Sequence, residues 1–247
     1  MKQTESSGRN LVRLTKEKLL SAGATCEWLI RFEEIFPNGA EISPEGWKEA
    51  IGVGFGEALT WPHQFLGEEY RICLDKMNLA GAEMRDINLA GASLIEANLE
   101  RANLEKAYLS EANFDRAILR EATFCWAVLI RATLVGADLA GADLTASDLR
   151  ATRFDKANLT KAVLDRANLA MSYFRRANLT RASFRQADLF WANLEGANLE
   201  GAALRGANLE WANLEGANLN GVDLTGSVWN TGTTWPEGFN PFKEQER

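Results

Sequence analysis

Leucine recurs at every fifth position of residues 191–219, WANLEGANLEGAALRGANLEWANLEGANL. An α-helix turns about 100° per residue, so leucines five residues apart would lie on every side of the helix and form no apolar stripe. In a β-strand the two faces alternate, so successive leucines would point to opposite sides of the sheet. The pattern therefore predicts a coiled chain that turns a corner in each five-residue unit and returns every leucine to one interior.

This five-residue pattern extends over most of the chain. From Leu74 to Leu224 every fifth residue is Leu, Phe or, once, Met84, which gives 31 units without insertion or deletion. The residue two positions before each central residue is usually Ala, and the residue between them is often Asn or Asp. We expect the central and the small residue to share the interior and the two residues after the centre to face water. Glycine is frequent at the last position, where it suits a turn with positive φ.

The segments on either side of the repeats have a different character. Residues 42–47, ISPEGW, carry the cap, proline and hydrophobic staple of a helix start, and residues 25–36 carry one apolar helical face. We therefore expect three or four short helices between Leu11 and Tyr70. After the last unit, we expect four aromatic residues to fold over the final coil, namely Trp229, Trp235, Phe239 and Phe242.

The composition of the chain favours the cytoplasm and argues against a membrane-spanning helix. The 247 residues are 46% hydrophobic with a formal net charge of -7, and no stretch approaches the roughly 18 consecutive apolar residues of a membrane-spanning helix. The first residues hold no apolar core of signal-peptide type. No CxxC pair occurs among the cysteines. We expect a cytoplasmic protein with free thiols at Cys26, Cys73 and Cys125.

Candidate chemistry is sparse. His63 is the one histidine, and it follows Trp61–Pro62 without a nucleophile motif. His63 and the three scattered cysteines together do not have the spacing of the usual ligand set of a zinc ion. The glycine-rich run at residues 52–56, GVGFG, lacks the GxGxxG spacing of a dinucleotide site. We expect no catalytic residue, no cofactor and no metal site.

Tandem A(D/N)LXX units of this kind resemble the pentapeptide-repeat proteins, and the resemblance covers residues 72 to about 229. It implies an all-β solenoid, a right-handed quadrilateral β-helix with four units in each coil. The units would then form about eight coils, a rod roughly 37 Å long at the spacing of neighbouring strands. The expected organisation is a small α-helical N-terminal domain at residues 1–71, the β-helix at 72–229, and an irregular C-terminal cap and tail at 230–247.

If each coil contains 20 residues, side chains 20 positions apart stack on the outside of the rod. One such ladder contains Met171, Trp191 and Trp211, and the ladder beside it contains Phe190. An outward cluster with two stacked tryptophans predicts a partner-binding surface. The alternative is that the aromatic tail, residues 235–242, folds back and covers this face. The sequence leaves both open.

Charge is zoned along the repeats. The net charge is -5 over residues 72–149, +7 over 150–185 and -5 over 186–226. The basic residues of the middle zone fall on several sides of the rod, which is less suited to a nucleic-acid groove than a single stripe would be. Two interpretations of the basic middle zone remain: its charges are simply solvated, or they bind an acidic surface of a partner.

Rigid display of a surface is what repeat solenoids provide, so the favoured function is a non-catalytic scaffold for a partner protein or for a second copy in a homodimer. Similar proteins include bacterial factors that protect DNA gyrase or topoisomerase IV as acidic rods resembling duplex DNA. The resemblance therefore implies an alternative, a DNA mimic that binds a type II topoisomerase. Duplex DNA carries one charge per about 1.7 Å, so such a mimic would carry about twenty. The repeats net only -3. Direct nucleic-acid binding and membrane binding are not expected.

Overall fold

The computed structural model describes residues 13–14, 40–41 and 74–245, with side chains described from residue 74 to residue 243. Two short strands, β1 (Arg13–Leu14) and β2 (Ala40–Glu41), pair in an antiparallel ladder. These four residues are strand, whereas the sequence predicts helices in this region. The remaining residues of the predicted helical domain at 1–71 lie outside the described part of the chain. One helix, α1 (Pro241–Gln245), follows the repeats.

Parallel bridges between residues 20 positions apart define the coil. They recur at every fifth residue, from Asn78↔Asn98 to Asn208↔Val228. Each unit contributes backbone hydrogen bonds to its neighbours along the axis: the Leu159 amide donates to the Asn178 carbonyl at 2.7 Å and the Lys161 amide to the Thr180 carbonyl at 3.0 Å. The coil therefore has four five-residue sides, and its backbone groups are paired between coils as in a parallel sheet.

A tight turn closes each side of the coil. The amide three residues after a central residue donates back to its carbonyl, as Ala162 does to Leu159 at 3.0 Å. The second residue after the centre has a φ between 55° and 70° throughout the repeats, the pattern of a type II turn. A residue with a side chain costs ~1 kcal/mol more than glycine in this conformation, which explains the many glycines there. Coil stacking holds side-chain-bearing residues such as Lys161 in the same geometry.

The Asn or Asp before each central residue supports the turn from outside the core. The Asn98 side-chain oxygen accepts the Glu100 amide at 3.1 Å, and the Asn103 oxygen accepts the Glu105 amide at 3.1 Å. This is the Asx-turn interaction, which only a short side chain with a terminal oxygen makes. Neighbouring coils also join through these amides, since Asn218 donates to the Asn198 side chain at 2.9 Å. The consensus residue is therefore selected by turn geometry.

The interior is a continuous apolar column. The central residues from Leu74 to Leu214 and most of the alanines two positions before them are buried. Where phenylalanine replaces leucine, the rings pack on each other: Phe154 and Phe174 stack with centroids 4.8 Å apart. Burial of a leucine-sized side chain stabilises a fold by roughly 1.5–3 kcal/mol, so this repeated burial is the main source of stability.

At the C-terminal end the 20-residue register shifts by one. The last bridge, Asn213↔Thr234, spans 21 residues. The extra residue is accommodated because the Asn230 side chain accepts the Trp211 amide at 3.3 Å, and the Thr233 hydroxyl donates to the Leu209 carbonyl at 2.9 Å. Three rings of this segment pack against the buried column, namely Trp229, Trp235 and Phe239.

Candidate functional site

The turn geometry places three large side chains at one corner of successive coils. Met171, Trp191 and Trp211 each occupy the second position after a central leucine, with φ of 60°, 58° and 61°. The Met171 amide donates to the Phe190 carbonyl at 2.8 Å, and the Trp191 amide donates to the Glu210 carbonyl at 3.1 Å. Because the backbone is fixed on both sides, the three side chains project from a rigid edge.

The aromatic rings at this corner contact each other. The Trp191 and Trp211 rings stack with centroids 5.6 Å apart and planes at 15°, and Phe190 lies edge-on to Trp191 at 6.5 Å. Met171 is 56% exposed, Trp191 55% and Trp211 46%, while Phe190 is half-buried. The structure thus brings all four sequence-predicted residues to one corner, which we call the tryptophan corner.

Tyr173 extends the tryptophan corner, and the sequence analysis missed it. It is 43% exposed and lies two residues after Met171, on the adjoining side of the coil. Its position precedes a central phenylalanine, where Asn or Asp is the consensus. An aromatic residue at a position that normally serves the turn was the signal that could have found it.

The aromatic tail takes a different course from the one that would cover this corner. Its rings pair among themselves: Trp229 lies edge-on to Trp235 at 5.5 Å and to Phe242 at 5.8 Å, and Trp235 stacks on Phe239 at 5.4 Å. Within the described part of the tail, the backbone near Gly232 is what reaches the tryptophan corner, and it lies against the Trp211 ring. About half of the surface of Trp191 and of Trp211 stays exposed to solvent.

Two arginines near the tryptophan corner are paired with carboxylates. Arg150, in the same ladder as Phe190, donates to the Asp148 carboxylate through Nε at 2.8 Å and Nη2 at 2.7 Å. This hydrogen bond, with the attraction between the charges, raises the pKa of Arg150. Arg175 forms an ion pair with Glu195 at 3.3 Å. The corner is therefore apolar with a polar edge, the usual anatomy of a protein interface.

The described residues offer no catalytic chemistry that rivals this surface. Burial, and next the hydrogen bond with Asp143, raise the pKa of the Cys125 thiol to about 11, so the thiol is protonated at neutral pH. Across the described part of the chain, no group of three His, Cys, Asp or Glu side chains is placed to hold a metal ion. His63, the glycine-rich run at 52–56, Cys26 and Cys73 lie outside the described residues.

No helix within the described residues has the length and apolar character needed to cross a bilayer.

Comparison with known proteins identifies the repeat. A family model described as pentapeptide repeats matches the chain in eight copies, over residues 73–110, 107–145, 142–181, 157–196 and 192–228. A comparison with curated protein sequences found no significant match.

Three solved structures illustrate the range of similar proteins. HetL, a pentapeptide repeat protein involved in heterocyst differentiation regulation from the cyanobacterium Nostoc sp. strain PCC 7120, is 32% identical, with 66% of this chain and 90% of HetL covered and a TM-score of 0.36. Full-length QnrB1, a plasmid-mediated fluoroquinolone resistance protein, is 17% identical, with coverage of 63% and 92% and a TM-score of 0.39. A pentapeptide repeat protein from the Arabidopsis thaliana thylakoid lumen is 28% identical, with coverage of 53% and 70% and a TM-score of 0.28.

The family match spans more than half of the chain and covers the region that the 20-residue coils form. The chain therefore belongs to the pentapeptide repeat family, whose members fold as right-handed quadrilateral β-helices.

Proposed function

We propose that this protein is a non-catalytic interaction scaffold whose β-helix presents the tryptophan corner to a partner protein or to a second copy of the chain. The observation that carries the proposal is the stack of Trp191 on Trp211, with about half of each side chain exposed. Contiguous exposed aromatic surface is uncommon on a monomer and is typical of interfaces.

Binding at this corner would bury a large apolar area at a small entropic cost. Burying apolar surface contributes about 25 cal/mol per Å², and aromatic side chains carry the largest areas. Trp191 is fixed by its stack on Trp211 and by its backbone bond to Glu210, so little side-chain freedom remains to be lost. Rigid tryptophans within a polar edge match the composition of binding hot spots.

The electrostatics of the rod support a protein scaffold more than a DNA mimic. The repeats net -5 over residues 72–149 and -5 over 186–226, but the intervening 150–185 net +7. A mimic of duplex DNA needs uninterrupted negative charge along its length. Protection of a type II topoisomerase is therefore the less favoured function. The free thiol of Cys125 suits a reducing compartment such as the cytoplasm.

A pair of tryptophan substitutions tests the scaffold proposal. In Trp191→Glu with Trp211→Glu, two outward side chains become charged without touching the core, so the far-ultraviolet circular dichroism spectrum should stay near wild type. Loss of the contact between Gly232 and the Trp211 ring should lower the melting temperature only modestly. Sedimentation velocity would detect a homodimer. Affinity capture from cells that naturally produce the chain, with quantitative mass spectrometry, would detect partner proteins. We expect assembly or capture to be lost in the double variant.

Trp126 supplies a matched control, because it is 63% exposed at the same turn position on another corner. Trp126→Glu should leave assembly and capture unchanged. Equal assembly by wild type and the tryptophan-corner variant, or an equal loss in Trp126→Glu, would contradict the proposed site.

A further inference from the structure

A second surface feature lies on a different corner, near the C-terminal end of the repeats. It is an open depression of about 670 Å³, whose lining includes Asp165, Arg166, Arg185, Arg205, Gly206, Thr225 and Gly226. We call it the arginine notch. Its volume is within the range of small-molecule sites, roughly 300–1,000 Å³.

Two of the three arginines that line the notch lack a carboxylate partner among the described residues. Arg166 donates to the Gln186 side chain at 3.2 Å, and neither it nor Arg205 forms an ion pair with any described residue. Arg185 donates through Nη1 to the Ser183 hydroxyl at 3.0 Å, and it forms an ion pair with Asp165 at 3.7 Å, a distance too long for a hydrogen bond. Elsewhere on the rod, arginines commonly pair closely, as Arg101 does with Glu121 at 2.7 Å.

The two nearby carboxylates already accept hydrogen bonds, Asp165 from the next coil and Asp223 from its own turn. Asp165 accepts the Ser183 hydroxyl at 2.5 Å and the Arg185 amide at 2.9 Å. Asp223 accepts the Thr225 hydroxyl at 2.6 Å and its amide at 2.9 Å. These bonds, followed by the positive charge of Arg205 and Arg185, lower the pKa of Asp223. The guanidinium N–H groups facing the notch therefore retain capacity to donate to a ligand.

Arg185 and Arg205 also occupy equivalent positions on adjacent coils. Their backbones are separated by the strand spacing of about 4.8 Å, so the two side chains leave the rod from neighbouring points of one ladder. Like charges repel, and an anion bound between them reduces that repulsion. Beside them, Gly206 and Gly226 carry no side chain, and a Cβ built at Gly226 meets no atom within 4 Å. The glycines leave open the space that such an anion needs.

We propose that the arginine notch binds the phosphate group of a small phosphorylated molecule, a site independent of the tryptophan corner. A phosphate has three acceptor oxygens and up to two negative charges, so it can accept from Arg185 and Arg205 at once. A single carboxylate has two oxygens and matches one guanidinium. The Thr225 side of the notch and its glycine floor would contact the rest of the molecule.

Isothermal titration calorimetry of the full chain with inorganic pyrophosphate tests this site, and citrate serves as a carboxylate probe of comparable charge. We expect saturable pyrophosphate binding and weaker citrate binding. Arg185→Gln with Arg205→Gln should weaken the pyrophosphate affinity about tenfold or more, because each removes a charge-assisted bond. Gly206→Trp should weaken it similarly by filling the notch at unchanged net charge. Its turn conformation also accommodates tryptophan at Trp191.

Arg176→Gln with Arg181→Gln is the matched control, since it removes the same charge from other corners of nearby coils. It should alter the affinity less than about twofold. Thermal melting of each variant reports that the fold is retained. Absence of saturable pyrophosphate binding, citrate binding as tightly as pyrophosphate, or equal weakening by the control pair would each overturn the phosphate site.

Discussion

The backbone of Gly232 lies flat against the indole ring of Trp211, so close that a Cβ at residue 232 would overlap ring atoms Cε3, Cζ3 and Cδ2. Gly232 also donates its amide to the Asn230 side chain at 2.9 Å, which fixes the loop in this position. One face of Trp211 is thus packed by the C-terminal segment and the other by Trp191. The tail therefore holds the end of the tryptophan stack without covering it.

Gly232→Ala should displace the Trp211 ring or the loop. Overpacking of this kind costs roughly 1–3 kcal/mol, so the melting temperature should fall. The near-ultraviolet circular dichroism of the stacked indoles should also weaken. Gly226→Ala is the comparison, because a Cβ there meets nothing and only the left-handed turn is disfavoured, with φ of 66°. A smaller effect of Gly232→Ala than of Gly226→Ala would show that the contact with Trp211 is absent.

Leu164→Asp should unfold the middle of the β-helix. Leu164 is fully buried at the centre of a unit, and an unpaired buried carboxylate costs several kcal/mol. Lys161→Asp places the same carboxylate on the exposed corner nearby and should leave the melting temperature almost unchanged. Thermal denaturation followed by circular dichroism compares the two. A near-native melting temperature for Leu164→Asp would contradict the stacked interior.

The interior of the β-helix was readable from the sequence because one large and one small apolar residue recur in every unit. Once the family resemblance supplied the 20-residue coil, simple stacking brought Trp191 and Trp211 together. The role of the Asn or Asp between the small and the central apolar residue of each unit was not predicted, because an Asx turn depends on local backbone angles and leaves no hydrophobic signature.

Other features were outside the reach of the repeat pattern. The 21-residue bridge from Asn213 to Thr234 depends on the Asn230 side chain replacing a backbone carbonyl. A periodic pattern cannot predict where it ends in this way. The sequence analysis did not predict the arginine notch, because its shape comes from glycines 206 and 226 and because nearby carboxylates accept backbone and hydroxyl hydrogen bonds that a sequence pattern does not reveal.

Cys125 should react slowly with alkylating reagents. Its thiol pKa is raised to about 11, first by burial and then by the Asp143 hydrogen bond, so little thiolate exists below pH 9. In a background with Cys26→Ser and Cys73→Ser, the iodoacetamide rate should rise with pH through about 11. Asp143→Asn should shift this profile to lower pH. A midpoint near the ordinary cysteine pKa, or the same profile with and without Asp143→Asn, would contradict the environment described for Cys125.

Ser172→Ala should stabilise the protein. The Ser172 hydroxyl is buried beneath the tryptophan corner and has no hydrogen-bond partner among the described residues, whereas the buried Ser147 hydroxyl donates to the Leu144 carbonyl at 2.6 Å. An unsatisfied buried hydroxyl destabilises the folded state by roughly 1–3 kcal/mol, and its removal relieves that cost. Alanine is also the consensus residue at this position. Ser147→Ala should stabilise less. Chemical denaturation measures both changes, and a net loss of stability in Ser172→Ala would show that the hydroxyl has a partner.

Site-specific photocrosslinking is the most direct test of the tryptophan corner as a binding surface. A benzophenone amino acid replaces Met171, which is exposed beside Trp191, and in parallel Arg181, which is exposed on another corner. On irradiation in cells that naturally produce the chain, the Met171 probe should give a discrete crosslinked product with a partner protein or a second copy, and the Arg181 probe should give none. The absence of a product at Met171, or the same product from both positions, would contradict binding at this corner.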